Sequence, residues 1–193
     1  PGMKSANPNL SVWQITGDGD SMAIGGNHFI HLIRRNIDIN LLLFNNKIYG
    51  LTKGQYSPTT PKGSTTKTSP NGTIENPFNP GELAMGAQGT FFARVIDKEP
   101  KVMKEVFIEA HKHKGASVVE VLQNCVIFNN AVHEQITGKD VKDDRTIYLE
   151  HGKPMIFGKE RNKGLILDKG FNLKVVTIGE NGITEDDILV HKA

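Results

Sequence analysis

Two short polar stretches of this chain could do chemistry together. Gly17-Asp18-Gly19-Asp20 sets two carboxylates among glycines, and Asn45-Asn46 supplies two amides, with Asn46 falling 28 positions after Asp18. A carboxylate and an amide oxygen converging on one point form a hard-oxygen donor set. Such a set suits Mg2+, which usually shares its octahedron with the phosphate oxygens of a bound substrate or cofactor. Glycines beside Asp18 let the backbone approach a diphosphate closely. A bare Gly-Asp-Gly is weak, because Asp and Gly are common in turns, and an ordinary acidic turn is the competing reading. What gives the motif weight is a strand before it, a helix after it and the Asn pair at this spacing.

Those flanking elements are legible. The apolar run Leu10–Ile15 reads as a buried strand, with strand character over Ser11–Thr16 and Asp18 at its end. Helix Ser21–Arg35 follows, apolar on much of its circumference (Met22, Ile24, Phe29, Ile30, Leu32, Ile33), with Arg34-Arg35 suited to its carboxyl end. Strand Ile39–Asn45 then ends at the Asn pair. The spacing holds one crossover helix and the second strand of a βαβ unit. Both polar tips therefore belong at the carboxyl ends of neighbouring parallel strands, where open α/β sheets bind ligands.

A long segment follows, about residues 50–79, too rich in Ser, Thr, Pro and Gly for helix or strand. Between Ile39 and Ile74 it and its flanks carry Lys47, Lys53, Lys62 and Lys67 and no acidic residue. Loops of that length in a compact domain are usually functional or disordered. A short helix near Pro80–Gly89, strand Phe91–Ile96, helix Pro100–His113 with proline at its start, and strand Ser117–Leu122 complete the pattern. The alternation defines an α/β fold, a parallel sheet with helices on both faces. Beyond about residue 138 charge density rises. Residues 153–157, 164–167 and 173–178 read as short strands of a C-terminal extension, 138–193, that docks on a partner, after an α/β domain over 1–137.

Composition sets outer bounds. The 193 residues suffice for one α/β domain with a sizeable core. A formal charge of +2 is too small to imply nucleic-acid binding, and no apolar run reaches membrane-spanning length. The single cysteine excludes an internal disulfide framework and fits a reducing cytoplasm. Starting at Pro1 in mid-pattern without an initiator Met, the sequence reads as an N-terminally truncated piece of a longer chain.

Other candidates carry competing readings. Asp20 is either a cofactor contact or an N-cap of the following helix. Lys53, in Gly50-Leu51-Thr52-Lys53-Gly54-Gln55, is either a carboxylate grip beside an anionic cofactor or a solvated surface lysine. His28 and His31 fit helix packing better than a cofactor role. His111 and His113, at i, i+2, read as an exposed helix end rather than a metal site. Cys125 lies just past a strand, in Gln123-Asn124-Cys125-Val126-Ile127-Phe128-Asn129. By composition alone it is a buried, inert thiol.

The pattern resembles the thiamine diphosphate (ThDP) signature, GDG followed at this distance by N. The longer blocks 17–28 (GDGDSMAIGGNH) and 45–59 (NNKIYGLTKGQYSPT) resemble the β subunit of 2-oxoacid:ferredoxin oxidoreductases, nearest the 2-oxoglutarate branch, over about residues 1–150. The resemblance implies a thiamine diphosphate-binding fold. It implies Mg2+ ligation by Asp18, Asn46 and the Ile48 carbonyl, and cofactor contacts from Gly19, Asp20, Gly50 and Leu51. It associates Lys53 with dicarboxylic or broader 2-oxoacids, pyruvate-specific relatives tending to a small residue there. It makes Cys125 the fourth ligand of a [4Fe–4S] cluster whose other three cysteines lie upstream; one thiolate cannot hold a cluster alone. The implied activity is CoA-dependent oxidative decarboxylation of a 2-oxoacid, electrons passing through the cluster to ferredoxin. An α subunit completes the active site and supplies the activating glutamate, so no catalytic acid or base need come from this chain. Two alternatives stay open: a ThDP decarboxylase or synthase half without ferredoxin, and a non-catalytic α/β nucleotide-binding module.

Overall fold

The computed structural model describes residues 1–192, which divide into two compact units, 1–132 and 133–192. The first opens with a single helical turn, α1 (Gly2–Ala6), ahead of a four-stranded parallel sheet. Its strands are β1 (Trp13–Gly17), β2 (Asn40–Asn45), β3 (Phe91–Ile96) and β4 (Ser117–Leu122), in spatial order β1-β2-β4-β3. Central β2 and β4 are almost wholly buried, as strands covered on both faces must be, and are apolar apart from Asn40 and Asn45 on β2 and Ser117 and Glu120 on β4.

Helices cover both faces. On one face, α3 (Gly26–Arg34) and α4 (Pro80–Gly86) bring Phe29, Leu32, Ile33 and Ala84 against Leu41, Leu43 and Val118. On the other, α5 (Pro100–Lys112) packs Val102, Met103, Val106 and Phe107 against Leu42, Val119 and Val121. Local signals set the helix starts. Pro80 and Pro100 stand in the first turns of α4 and α5, and the Asn79 side chain caps α4 by accepting from Gly81 N at 3.2 Å.

The structure departs from the sequence reading in two places that matter for the site. The helix expected over Ser21–Arg35 is broken into α2 (Asp18–Met22) and α3, with Ala23 at φ −95°, ψ −97° between them. Gly25 explains the break: its amide bonds back to Asp20 O at 2.8 Å, and a Cβ there would overlap that same carbonyl. The break leaves Ile24 fully exposed rather than in the apolar stripe. The second departure is β1, which starts at Trp13 and is the edge of the sheet, not a buried strand. Ile15 is 71% exposed, and among the described residues β1 has a strand on one side only.

The second unit contains two short helices, α6 (Glu134–Thr137) and α7 (Lys142–Arg145), and an antiparallel sheet, β5 (Ile156–Phe157), β6 (Lys163–Leu167) and β7 (Leu173–Thr177), in that order. These strands fall within a few residues of the sequence expectation. Among the described residues, no helix is long and apolar enough to cross a membrane.

Candidate functional site

The parallel register decides which polar groups meet. β1 pairs with β2 so that Gly17 lies beside Phe44, which sets Asp18 level with Asn45 at the carboxyl ends of the two strands. Asp18 is the first residue of α2, 2% exposed, with Gly17 as the cap residue. Its Oδ2 accepts from Ser57 Oγ at 2.6 Å and from Thr59 Oγ1 at 2.5 Å. Thr59 Oγ1 also lies 2.9 Å from Asn45 Oδ1. The long loop therefore folds back over the strand ends and lays Ser57, Thr59 and Thr60, all buried, onto the Gly-Asp-Gly turn. Thr60 Oγ1 locks it there, donating to Lys47 O at 2.7 Å and accepting from Ser57 N at 2.8 Å.

Gly19 is required by what packs on it. A Cβ at Gly19 would overlap the Tyr49 ring, whose hydroxyl donates to Gly19 O at 3.1 Å. Tyr49 thus pins the start of α2 from the far side of the loop. Asp20 is exposed within the first turn, and its side chain does not cap the helix. The amide oxygen of Asn46 accepts from Ile48 N at 3.2 Å, and its nitrogen lies 3.4 Å from Gln123 Oε1. The Asn46 side chain makes no hydrogen bond to Asp18; Asn45 reaches it through Thr59.

Electrostatics mark Asp18 as the unusual group. Burial pushes its carboxyl above the ordinary range, and the Ser57 and Thr59 hydroxyls offset this only in part. No described cationic side chain forms an ion pair with it. Burial pushes the Lys47 ammonium down, against the opposing attraction of Glu120 and Asp18. The Tyr49 phenol is raised, first by burial and then by the Asp18 and Asp20 carboxylates. A buried carboxylate ringed by hydroxyl and amide oxygens, with no cation paired to it, fits a hard divalent ion, which would invert this local balance.

The remaining candidates lie outside the hydrogen-bonded cluster at Asp18. Gly50 and Leu51 form the tip of a tight turn closed by Gly54 N to Tyr49 O at 3.0 Å, with Leu51 fully exposed. Lys53 is held in that turn at φ +67° and is exposed; with Lys47, Thr60, Lys67 and Phe128 it lines a cleft of about 360 Å³. Cys125 is partly buried and unpaired, and Asn129 N donates to its carbonyl at 2.9 Å. No group of three or more His, Cys, Asp or Glu side chains among the described residues could hold a metal. His28 and His31 are both exposed on α3, which turns Phe29, Leu32 and Ile33 inward, and Arg34 Nε donates to His31 Nδ1 at 3.3 Å along the same helix. The C-terminal end of α5 is occupied as a packing surface, His111 stacking on Trp13 and His113 lying against Phe91.

Sequence reasoning missed Ser57, Thr59 and Asn45 as Asp18's neighbours, and missed Glu120 and Arg94 behind them. Glu120 had a readable signal, a lone charge inside Val118-Val119-Glu120-Val121-Leu122. It is 1% exposed, with Oε1 accepting from Asn45 Nδ2 and Oε2 from Arg94 Nε, each at 2.7 Å.

A parallel sheet carrying a buried Gly-Asp-Gly carboxylate at its strand ends defines a class. The sequence matches the family "Thiamine pyrophosphate enzyme, C-terminal TPP binding domain" over residues 1–121, and the chain belongs to that family. Within it, the chain is 46% identical over 192 residues to the 2-oxoglutarate oxidoreductase subunit KorB of Mycobacterium tuberculosis, covering all of this chain and 50% of that relative. It is 46% identical over 140 residues to the 2-oxoglutarate synthase subunit KorB of Archaeoglobus fulgidus, covering 72% of this chain and 51% of the relative. A solved structure, the 2-oxoglutarate:ferredoxin oxidoreductase from Magnetococcus marinus with 2-oxoglutarate, coenzyme A and succinyl-CoA bound, superposes with a TM-score of 0.64 at 39% identity, over 67% of this chain and 44% of that one. The chain spans about half the length of the curated relatives it matches.

Proposed function

We propose that this chain is the cofactor-holding part of the β subunit of a 2-oxoacid:ferredoxin oxidoreductase acting on 2-oxoglutarate. The observation that carries the reading is the buried, ion-unpaired Asp18 carboxylate under the hydroxyls of Ser57 and Thr59. The similarity to 2-oxoglutarate oxidoreductase subunits supports the choice of substrate.

In this reading the side chains of Asp18 and Asn46 and the carbonyl of Ile48 would hold Mg2+, and Gly19, Asp20, Gly50 and Leu51 would contact thiamine diphosphate. When bound, thiamine diphosphate supplies a carbanion nucleophile and an electron sink for decarboxylating a 2-oxoacid. This chain's own work is placement. Ser57 and Thr59 hold Asp18 Oδ2 in one position. Tyr49 keeps the Gly19 backbone against the loop, and the fold of residues 57–60 excludes water from the carboxylate. Lys53 offers its ammonium to the distal carboxylate of 2-oxoglutarate. Cys125 gives one thiolate to a [4Fe–4S] cluster, and the other three ligands come from outside this sequence, which has no second cysteine. The α subunit completes the site, coenzyme A accepts the acyl group, and two ferredoxins each accept one electron.

The test is anaerobic turnover of the complete α/β complex with 2-oxoglutarate, coenzyme A and oxidised ferredoxin. The expected result is two ferredoxins reduced per succinyl-CoA formed. Decarboxylation without ferredoxin reduction would support a decarboxylase or synthase half instead.

A further inference from the structure

Glu120 is the most deeply buried charge outside the Asp18 turn, and nothing in the proposed chemistry uses it. It sits in the middle of central strand β4, level with Leu43 on β2 and with Arg94 on β3. Both of its oxygens are engaged, one by Asn45 Nδ2 and one by Arg94 Nε. A carboxylate so buried is costly to desolvate, which offsets much of its attraction to the half-exposed Arg94. A well-packed apolar residue would suit the centre of this strand at least as well. The contacts show what the pair does instead.

An asparagine amide presents a donor end and an acceptor end, and either can face a neighbour. Glu120 accepts only, so it fixes the Asn45 NH2 toward itself. The Asn45 oxygen must then face the other way, where it meets Thr59 Oγ1 at 2.9 Å and Lys47 N at 3.2 Å. Turned over, Asn45 would set NH2 against the Lys47 N–H and leave Glu120 without its donor. The Thr59 hydroxyl carries one proton and faces two acceptors, Asn45 Oδ1 at 2.9 Å and Asp18 Oδ2 at 2.5 Å, so the sense of the Asn45 amide sets whether another acceptor competes with Asp18 for that proton. Arg94 holds the other end of the chain. Its side chain is 46% exposed, and its Nη2 lies 3.3 Å from Asn79 Oδ1, the oxygen that caps α4. The result is one line of polar contacts, α4 cap–Arg94–Glu120–Asn45–Thr59–Asp18, running across the sheet to the strand ends and closing on the single Thr59 proton that Asn45 and Asp18 share.

We infer that the Glu120–Arg94 pair is a positioning device for the metal-binding carboxylate, acting through the sense of the Asn45 amide and the Thr59 hydroxyl. The inference rests on the Asp18 site proposed above. It assigns to Glu120 and Arg94 no contact with substrate or cofactor. Groups that orient metal ligands from behind typically change metal affinity about ten- to a hundredfold when removed, and that is the effect expected of Glu120→Ala.

The experiment titrates Mg2+ calorimetrically into the full-length α/β complex saturated with thiamine diphosphate. The variants are Glu120→Ala, Glu120→Gln, Arg94→Ala, Asp18→Ala and Val121→Ala. Val121 is fully buried on the opposite face of the same strand and serves as a purely structural control. Glu120→Ala should weaken Mg2+ binding about ten- to a hundredfold. Glu120→Gln, which keeps an acceptor for Asn45, should recover most of that loss, and Arg94→Ala should fall between them. Val121→Ala should lower the melting temperature and leave Mg2+ affinity at the wild-type value. If Glu120→Ala does not assemble, Glu120→Gln and Arg94→Ala decide, and wild-type Mg2+ affinity in both overturns the inference. Equal Mg2+ loss in Glu120→Ala and Val121→Ala also overturns it, the pair then being a packing element only. If Asp18→Ala itself leaves Mg2+ binding unchanged, the site reading fails first, and the positioning role fails with it.

Discussion

Gly19 offers a test in which the sign of one substitution depends on one neighbour. In wild type a Cβ at Gly19 runs into Cε1, Cζ and Cδ1 of Tyr49. Displacing that ring is an overpacking change of about 1–3 kcal/mol, and it breaks the Tyr49 hydroxyl bond to Gly19 O. Against this, Gly to Ala inside a helix gains about 1 kcal/mol, and Gly19 lies within α2. Gly19→Ala should therefore destabilise the α2 turn by roughly 0–2 kcal/mol, the difference of those two effects. With Tyr49→Ala already present, the ring is gone and only the helix gain remains. Gly19→Ala should then stabilise the turn by up to about 1 kcal/mol. The readout is amide hydrogen exchange at Ala23, whose N–H bonds to Gly19 O at 3.1 Å, measured in all four members of the cycle. Thiamine diphosphate affinity should fall in Gly19→Ala and remain low in the double variant, because Tyr49 no longer pins the turn. Additivity within about 0.5 kcal/mol would refute the reasoning, since it would mean the ring and the glycine do not meet.

Asp18→Asn removes the buried charge and keeps an acceptor for Ser57 and Thr59. Because burial raises the Asp18 carboxyl above its unfolded value, its stabilising contribution is full at acid pH and is lost as pH rises through the raised value. The metal-free variant should match wild type in acid and melt higher near neutrality, while Mg2+-dependent cofactor binding is lost; identical melting at both pH values would contradict this. Lys53→Ala should lower kcat/KM for 2-oxoglutarate about ten- to a hundredfold, the worth of one charge-assisted contact, with a much smaller loss on pyruvate, and equal losses would reject a carboxylate-binding role. Cys125→Ser in the complete complex should retain thiamine diphosphate affinity yet lose iron and ferredoxin reduction, and a normal reduced-cluster resonance would leave Cys125 as a packed thiol only.

The sheet was legible because its central strands are mostly apolar and helices α4 and α5 open on prolines. The candidate ligands were legible because glycine and asparagine sit at strand ends with a fixed spacing. What the sequence did not disclose was register and recoil of the loop. Asp18 stands level with Asn45, not Asn46, and only the β1–β2 pairing shows that. Ser57 and Thr59 lie 39 and 41 positions from Asp18, beyond any local period, and the loop brings them back through Thr60 and Lys47. The break in the helix after the motif turns on one close backbone approach at Gly25, which no hydrophobic pattern carries. That β1 is an edge strand among the described residues is likewise a property of the sheet rather than of the strand.

The central claim is that Asp18 binds a divalent cation on the diphosphate of thiamine diphosphate. Mn2+ in place of Mg2+ makes that claim visible by electron paramagnetic resonance of the complete α/β complex. Wild type should show tightly bound Mn2+ only when thiamine diphosphate is present, and Asp18→Ala should show free Mn2+ under the same conditions. A bound-Mn2+ spectrum in Asp18→Ala indistinguishable from wild type would contradict the account.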